Sequence, residues 1–325
     1  MICTTNWSGN DRLGGLLRFA AAITLFNILG HTVLGFEQSW LQPLMSLVTG
    51  YTIALLLESV YAWSEGQKPR FLSGGIKGLI VFLLPPHITS LAVAMLLYSN
   101  ETIFPVMLGS AIAVGSKYIF RVYVGTRSIH FLNPSNFGIT IVLLLFPWVG
   151  IAPPYHFTEE LGSIGDWFLP MLIICTGSFL NIRFTKRIPL ILAWLGGFVL
   201  QAILRSQIQG TPLWAPLSPM TGVAFVLFTF YMVTDPPTTP SSLNGQIIFG
   251  LAVALCYSLL IVNHIVFGFF FALTMVTAAR GILLFVESLN SEKSSSPITS
   301  LSQKETFKSP PQKLEPGLVL NRRSL

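Results

Sequence analysis

Two short runs carry the residue types that do chemistry. The first is Arg127-Ser128-Ile129-His130-Phe131-Leu132-Asn133-Pro134-Ser135-Asn136-Phe137-Gly138. Asn before Pro favours a turn, and Ser135 or Asn136 can cap the amides of a helix that starts there. The same amides, flanked by Lys117, Arg121 and Arg127, would receive an anionic or carbonyl-rich ring. A membrane-face turn with its cap and a ligand site both fit this run. The second run is Thr234-Asp235-Pro236-Pro237-Thr238-Thr239-Pro240-Ser241-Ser242, in which Asp235 is the only acid between Asp166 and Glu287. A carboxylate at a helix C-terminus opposes the helix dipole. Either cap-like bonds from Thr238 and Thr239 or a ligand must compensate it. A third candidate is Glu58, an acid inside an apolar stretch, where an ionisable side chain is by default a functional residue.

These residues need elements to hold them, and the composition says in which solvent. Of 325 residues, 52% are apolar and 10% are charged, against about 25% charged in a soluble domain. The bilayer is the natural solvent. Spans of about 20 apolar residues fit ten times, near Leu13–Leu34, Leu41–Ala62, Gly78–Leu97, Ile103–Ile119, Asn136–Ile151, Trp167–Ile182, Pro189–Leu204, Leu217–Val233, Ile247–Ile261 and Ile265–Phe285. Pro85-Pro86 removes two amide donors from the third and should break or kink it, even into two half-helices.

The basic residues alternate with this count. Lys68, Arg70 and Lys77 follow the second span, Lys117, Arg121 and Arg127 the fourth, and Arg183, Lys186 and Arg187 the sixth. The loops between hold Glu101, Glu159, Glu160 and Asp166, with Arg205 the exception. By the positive-inside rule both termini are cytoplasmic, in a multi-pass protein of the cytoplasmic (inner) membrane. The apolar stretch after Arg12 is too long for a signal peptide and reads as the first helix.

The expected organisation is a transmembrane domain over 1–289 and a disordered, basic cytoplasmic tail over 290–325, rich in Ser, Pro and Lys. The tail holds six Lys/Arg and three Asp/Glu, half of the net charge of +6. With topology explaining the rest, nothing calls for nucleic acid as a partner, and the basic charge supports weak attraction to anionic headgroups at most.

Cys3, Cys175 and Cys256 lack metal or redox spacing and read as packing residues. No Walker loop, GxGxxG, HExxH or GxSxG is present. His31, His87, His156 and His264 are placed at outer helix ends; His130 stands in the first chemical run.

A short likeness relates Phe82-Leu83-Leu84-Pro85-Pro86-His87-Ile88-Thr89-Ser90 to Met232-Val233-Thr234-Asp235-Pro236-Pro237-Thr238-Thr239-Pro240, the proline pairs being 151 residues apart. It pairs the third span with the eighth in a five-plus-five inverted repeat, about 13–151 and 167–285. Two copies of an odd number of spans face opposite ways, which puts the first proline pair at the outer face and the second at the inner face. Inverted repeats with broken helices carry sites at the repeat interface.

The run Ala113-Val114-Gly115-Ser116-Lys117-Tyr118-Ile119-Phe120, followed by Phe131-Leu132-Asn133-Pro134-Ser135-Asn136-Phe137-Gly138, resembles the "AKxxF…FNPA" stretch of RnfD/NqrB membrane subunits of ion-pumping electron-transport complexes. Phe230-Tyr231-Met232-Val233-Thr234-Asp235-Pro236-Pro237-Thr238-Thr239-Pro240 resembles that family's "FMATDPVTSP", and Asn244-Gly245-Gln246-Ile247-Ile248-Phe249-Gly250 its "KGRxIYG". In its "HFLNPSNFGI" and "TDPPTTP" wording the chain looks closest to the UnbU branch found with enediyne biosynthesis genes.

The resemblance implies an all-α polytopic membrane protein of ten helices in an inverted repeat that binds flavin and passes electrons across the bilayer. It is at most a redox subunit, not a stand-alone enzyme, with redox-complex subunits or a biosynthetic enzyme as partners beside the lipid. The family's "SGAT" attachment motif is missing from the outer loop, where Thr158 precedes Glu159 and Glu160. Noncovalent FMN or riboflavin is therefore expected, held near Lys117, Arg121, His130, Asn133, Pro134, Ser135, Asn136, Thr234, Asp235, Thr238 and Thr239. The alternative is a transmembrane carrier of a small hydrophobic or aromatic product; a membrane scaffold acting through the tail is a third.

Overall fold

The computed structural model describes residues 9–125, 127–153, 157 and 162–295. Thr158, Glu159, Glu160, His156, Cys3, the tail from 296 and the side chains of Arg127 and Asp166 lie outside the described residues. The elements in order are α1 (Gly9–Thr32), α2 (Leu41–Ser64), α3 (Gly75–Leu96), β1 (Leu97–Tyr98), α4 (Phe104–Ile119), β2 (Arg121–Val124), β3 (Arg127–His130), α5 (Pro134–Leu145), β4 (Gly150–Ile151), α6 (Gly162–Leu180), α7 (Ile188–Gln209), α8 (Trp214–Leu217), α9 (Val223–Leu227), α10 (Leu243–Val262) and α11 (Gly268–Ser295). The protein is an all-α polytopic membrane protein.

Seven of these helices are long and apolar enough to cross a membrane, and a bent pair, Trp214–Thr221 with Val223–Met232 at 71°, makes an eighth. The fourth and fifth expected spans are helices of 16 and 12 residues, roughly 24 and 18 Å at 1.5 Å per residue. The fifth stops at Leu145 and not Ile151, because Phe146 precedes Pro147 and is held extended. The last helix begins at Gly268, after left-handed residues at His264 and Phe267, and runs past Asn290 to Ser295.

The first proline pair departs from expectation. α3 runs unbroken through Pro85 and Pro86, so the third span is one helix with the pair near its middle and not at the outer face. Thr89 Oγ1 and Lys117 Nζ both donate to the Pro85 carbonyl, and α3 is packed against α1, α2, α4 and α5. A break lies instead in the eighth expected span, at Gly222. α2 packs on α4 and α4 on α5, and α7 packs on α10 and α10 on α11.

Small residues set the close crossings. A Cβ on Gly138 would stand 2.3 Å from the Gly109 carbonyl oxygen, and one on Gly250 2.7 Å from that of Leu190. Helices approach this closely in lipid because dispersion contacts and not water exclusion hold them. The second half has an aromatic core around fully buried Trp194 and Phe198, with Trp194 Nε1 donating to Thr229 Oγ1 at 3.0 Å.

Candidate functional site

The two chemical runs, about a hundred residues apart in sequence, meet. Asn133, and not the expected Ser135 or Asn136, caps α5, because the helix already starts at Pro134: Asn133 Oδ1 accepts from the Asn136 amide at 3.1 Å and from Ser135 Oγ at 3.2 Å, and Pro134 takes the first helical position, where no amide is needed. Asn133 Nδ2 donates to the Met232 carbonyl, 99 residues further on, at 3.0 Å. Asn136 then reaches from α5 to α11, donating to the Phe270 carbonyl at 2.9 Å and to Thr274 Oγ1 at 2.8 Å.

Met232 ends a π-turn, Phe228–Met232, that continues α9. A second π-turn, Asn181–Thr185, continues α6. Single π-turns gather at functional sites, and these two are tied together by Asn181 Nδ2, which donates to the Phe230 carbonyl at 2.8 Å. Lys186 then turns left-handed, with φ 54°, and Arg187 enters the site.

Asp235 is held much as its local sequence suggests. Thr238 Oγ1 donates to its Oδ2 at 2.9 Å and Thr239 Oγ1 to its carbonyl at 2.7 Å, while Thr234 Oγ1 turns back to the Phe230 carbonyl at 2.7 Å. The half-buried carboxyl is pushed up to about 6 by loss of water, against the lowering by the Thr238 bond and by the charges of Lys117 and Arg187. Burial likewise lowers Arg187 to about 10; Asp235 raises it and Arg280 lowers it further. Arg187 donates to the carbonyls of Pro236 and Thr239, and Arg280 to that of Thr238 at 3.1 Å.

Lys117, in the last turn of α4, donates to Thr89 Oγ1 at 2.7 Å and to the Pro85 carbonyl at 3.3 Å. It thus links the first proline pair to the field of Asp235. Arg121 stands apart: it is exposed in the β2–β3 hairpin and folds onto Ser128, with Nε–Oγ at 2.8 Å. His130 pairs with Arg121 in the same hairpin. Phe131, which follows, lies against Gly281 of α11, where a Cβ would stand 2.1 Å from the ring.

Glu58 is accounted for without a ligand. Its carboxylate takes Arg70 Nε at 2.8 Å, the Arg70 amide at 3.0 Å and a further bond from the guanidinium, with Tyr118 Oη at 3.4 Å. It anchors the loop after α2.

Sequence reasoning missed Asn181, Arg187 and Arg280 as parts of this clamp. Gln246 entered only through the family wording; its Nε2 donates to the carbonyls of Lys186 and Ser241. Three buried polar atoms here have no hydrogen-bond partner: Asn136 Oδ1, Arg187 Nε and Gln246 Oε1. Among the described residues no group of His, Cys, Asp or Glu could hold a metal.

The second run, Arg187 and Gln246 all fall in a stretch with a likeness to known proteins. Residues 152–283 match the family model described as NQR2, RnfD, RnfE family. The matched stretch is 132 of the 325 residues, and over it the chain is similar to that family. Asn133 and Lys117 lie before the matched stretch and are joined to it only in space. No curated protein matches the chain.

Proposed function

We propose that this chain is an electron-transferring membrane subunit of RnfD/NqrB type that holds a flavin noncovalently at the clamp where the two runs meet. The supporting observation is the Asn133 Nδ2 bond to the Met232 carbonyl, which brings both runs to one place beside the charges of Lys117, Arg187 and Asp235. Buried polar atoms are normally hydrogen-bonded, and the unpartnered atoms of this clamp fit a flavin in kind. Arg187 Nε is a donor for a ring carbonyl, and Gln246 Oε1 and Asn136 Oδ1 are acceptors for a ring N–H. Lys117 and Arg187 supply positive charge near a reduced ring, and Asp235 offsets that charge when the ring is neutral.

Bound flavin would supply one- and two-electron redox chemistry. The chain's own residues position and insulate: Asn133 and Asn136 fix α5 against the second half, and Thr238 and Thr239 fix the Asp235 carboxylate. The clamp joins residues after α4 to residues after α9, at the face of the Lys/Arg-rich loops, which we assign to the cytoplasm together with both termini. The wording of the two runs supports the UnbU-like branch and service to a biosynthetic pathway, with partner subunits as electron donor and acceptor.

The test is the absorption spectrum of the detergent-purified protein before and after acid precipitation. Flavin bands that move wholly into the acid supernatant are expected. Protein with neither flavin absorbance nor affinity for added FMN or riboflavin would overturn the proposal; bands that stay with the precipitate would show covalent attachment instead.

A further inference from the structure

His87 lies not at a helix end but inside α3, twelve residues from Gly75 and nine from Leu96. That is roughly 18 and 14 Å from the two ends at 1.5 Å per residue, near the middle of the membrane. Beside it a cleft of about 350 Å³ opens between α1, α2 and α3. Its wall is apolar except for Thr24, Tyr51 and His87, and its rim residues Leu17 and Ile80 are 45% and 52% exposed on the outer, lipid-facing surface of the bundle. Polar side chains at this depth mark a function by default.

The hydrogen bonds fix what the cleft can recognise. Thr24 Oγ1 donates its one hydrogen to the Ala20 carbonyl at 2.7 Å, so at its 2.7 Å contact with His87 Nε2 it accepts. Nε2 therefore carries the hydrogen. In a neutral imidazole Nδ1 is then an acceptor, and it takes the Tyr51 hydroxyl hydrogen at 2.6 Å. Every hydrogen of the chain is engaged, and what remains towards the cleft is acceptor capacity on Tyr51 Oη and Thr24 Oγ1. A saturated hydrocarbon tail would leave it unmet, as would an ether or ketone.

We infer that this cleft is a binding site for a small apolar molecule carrying a hydroxyl group, which enters sideways from the bilayer and donates its hydrogen to Tyr51 Oη. The site lies in the first half of the chain, outside the matched stretch, and does not depend on the flavin reading. It would give the carrier alternative its substrate class.

The test uses the full chain in dioleoylphosphatidylcholine vesicles and equilibrium dialysis of 1-naphthol, with 1-methoxynaphthalene as the probe that cannot donate. Expected is saturable 1-naphthol binding above that of protein-free vesicles, with the ether bound about fivefold more weakly. Ala21→Phe fills the cleft from an exposed wall position and should abolish the saturable part. The ether comparison needs no variant and stands even if Ala21→Phe does not fold. Absence of saturable binding would overturn the inference and leave lipid chains as the occupant. Equal binding of the two probes, or an unchanged isotherm in a folded Ala21→Phe protein, would also overturn it.

Discussion

Replacement of Asn133 tests the joining of the two halves, because this one side chain performs two separable tasks. Its Oδ1 caps α5 and its Nδ2 bonds the Met232 carbonyl, and the residue is 6% exposed. Asn133→Ser keeps a good capping oxygen but is too short to reach Met232. It removes one of two bonds to a buried carbonyl that also accepts from the Asp235 amide at 3.4 Å, a cost of about 0.5–1.5 kcal/mol. Asn133→Ala loses the cap as well, worth about 1 kcal/mol more, for a total of about 1.5–2.5 kcal/mol. Equilibrium unfolding in mixed micelles should therefore rank wild type above Asn133→Ser above Asn133→Ala, and flavin affinity should fall in the same order. Wild-type stability in Asn133→Ser would refute the reasoning, since the bond to Met232 would then contribute nothing.

Other perturbations follow from the same geometry. Asp235 has a folded value raised to about 6, above the unfolded carboxylate, so the folded state binds the extra proton. Stability should therefore fall as pH rises from about 4 to 6 and stay lower above that range. Asp235→Asn should remove this slope, and infrared titration of the protonated carboxyl should show a midpoint near 6; one in the ordinary carboxylate range would refute it. Arg70→Ala leaves the Glu58 carboxylate, 1% exposed, without its main partner. It should destabilise by about 1–3 kcal/mol, discounted because the guanidinium is largely exposed, and adding Glu58→Gln should recover most of the loss in a double-mutant cycle. Gly281→Ala meets the ring of Phe131, a side chain that can turn, whereas Gly138→Ala meets the Gly109 backbone oxygen. Overpacking should cost about 1–3 kcal/mol in the first and more in the second, and Phe131→Ala should rescue only the first, as read by thermal unfolding.

Much of the fold is legible in one dimension because the bilayer enforces it. A chain that must satisfy its backbone in lipid forms helices wherever apolar runs are long enough, and the expected segments fall where helices are found. Local chemistry is legible in part: a capped helix start in the first run and the Thr238 and Thr239 bonds to Asp235 involve partners within four residues, although the cap is Asn133 and not Ser135 or Asn136. The effect of the first proline pair is not legible, because it depends on neighbours. Pro85-Pro86 is carried inside one helix by packing on several sides, while the break falls at Gly222.

The sequence by itself determined the solvent and the helical segments, and that a cap stands in the first run, since these follow from transfer free energy and short-range hydrogen bonding. Only the tertiary structure decided which charges have partners and which polar groups share a site. Glu58 finds Arg70 across a turn, and Asn133 finds Met232 across 99 residues. Arg187 and Gln246 enter the clamp from separate helix starts, and His87 sits with Tyr51 and Thr24 in mid-membrane. Those contacts join residues far apart in the chain, and only the packing of helices against one another selects them.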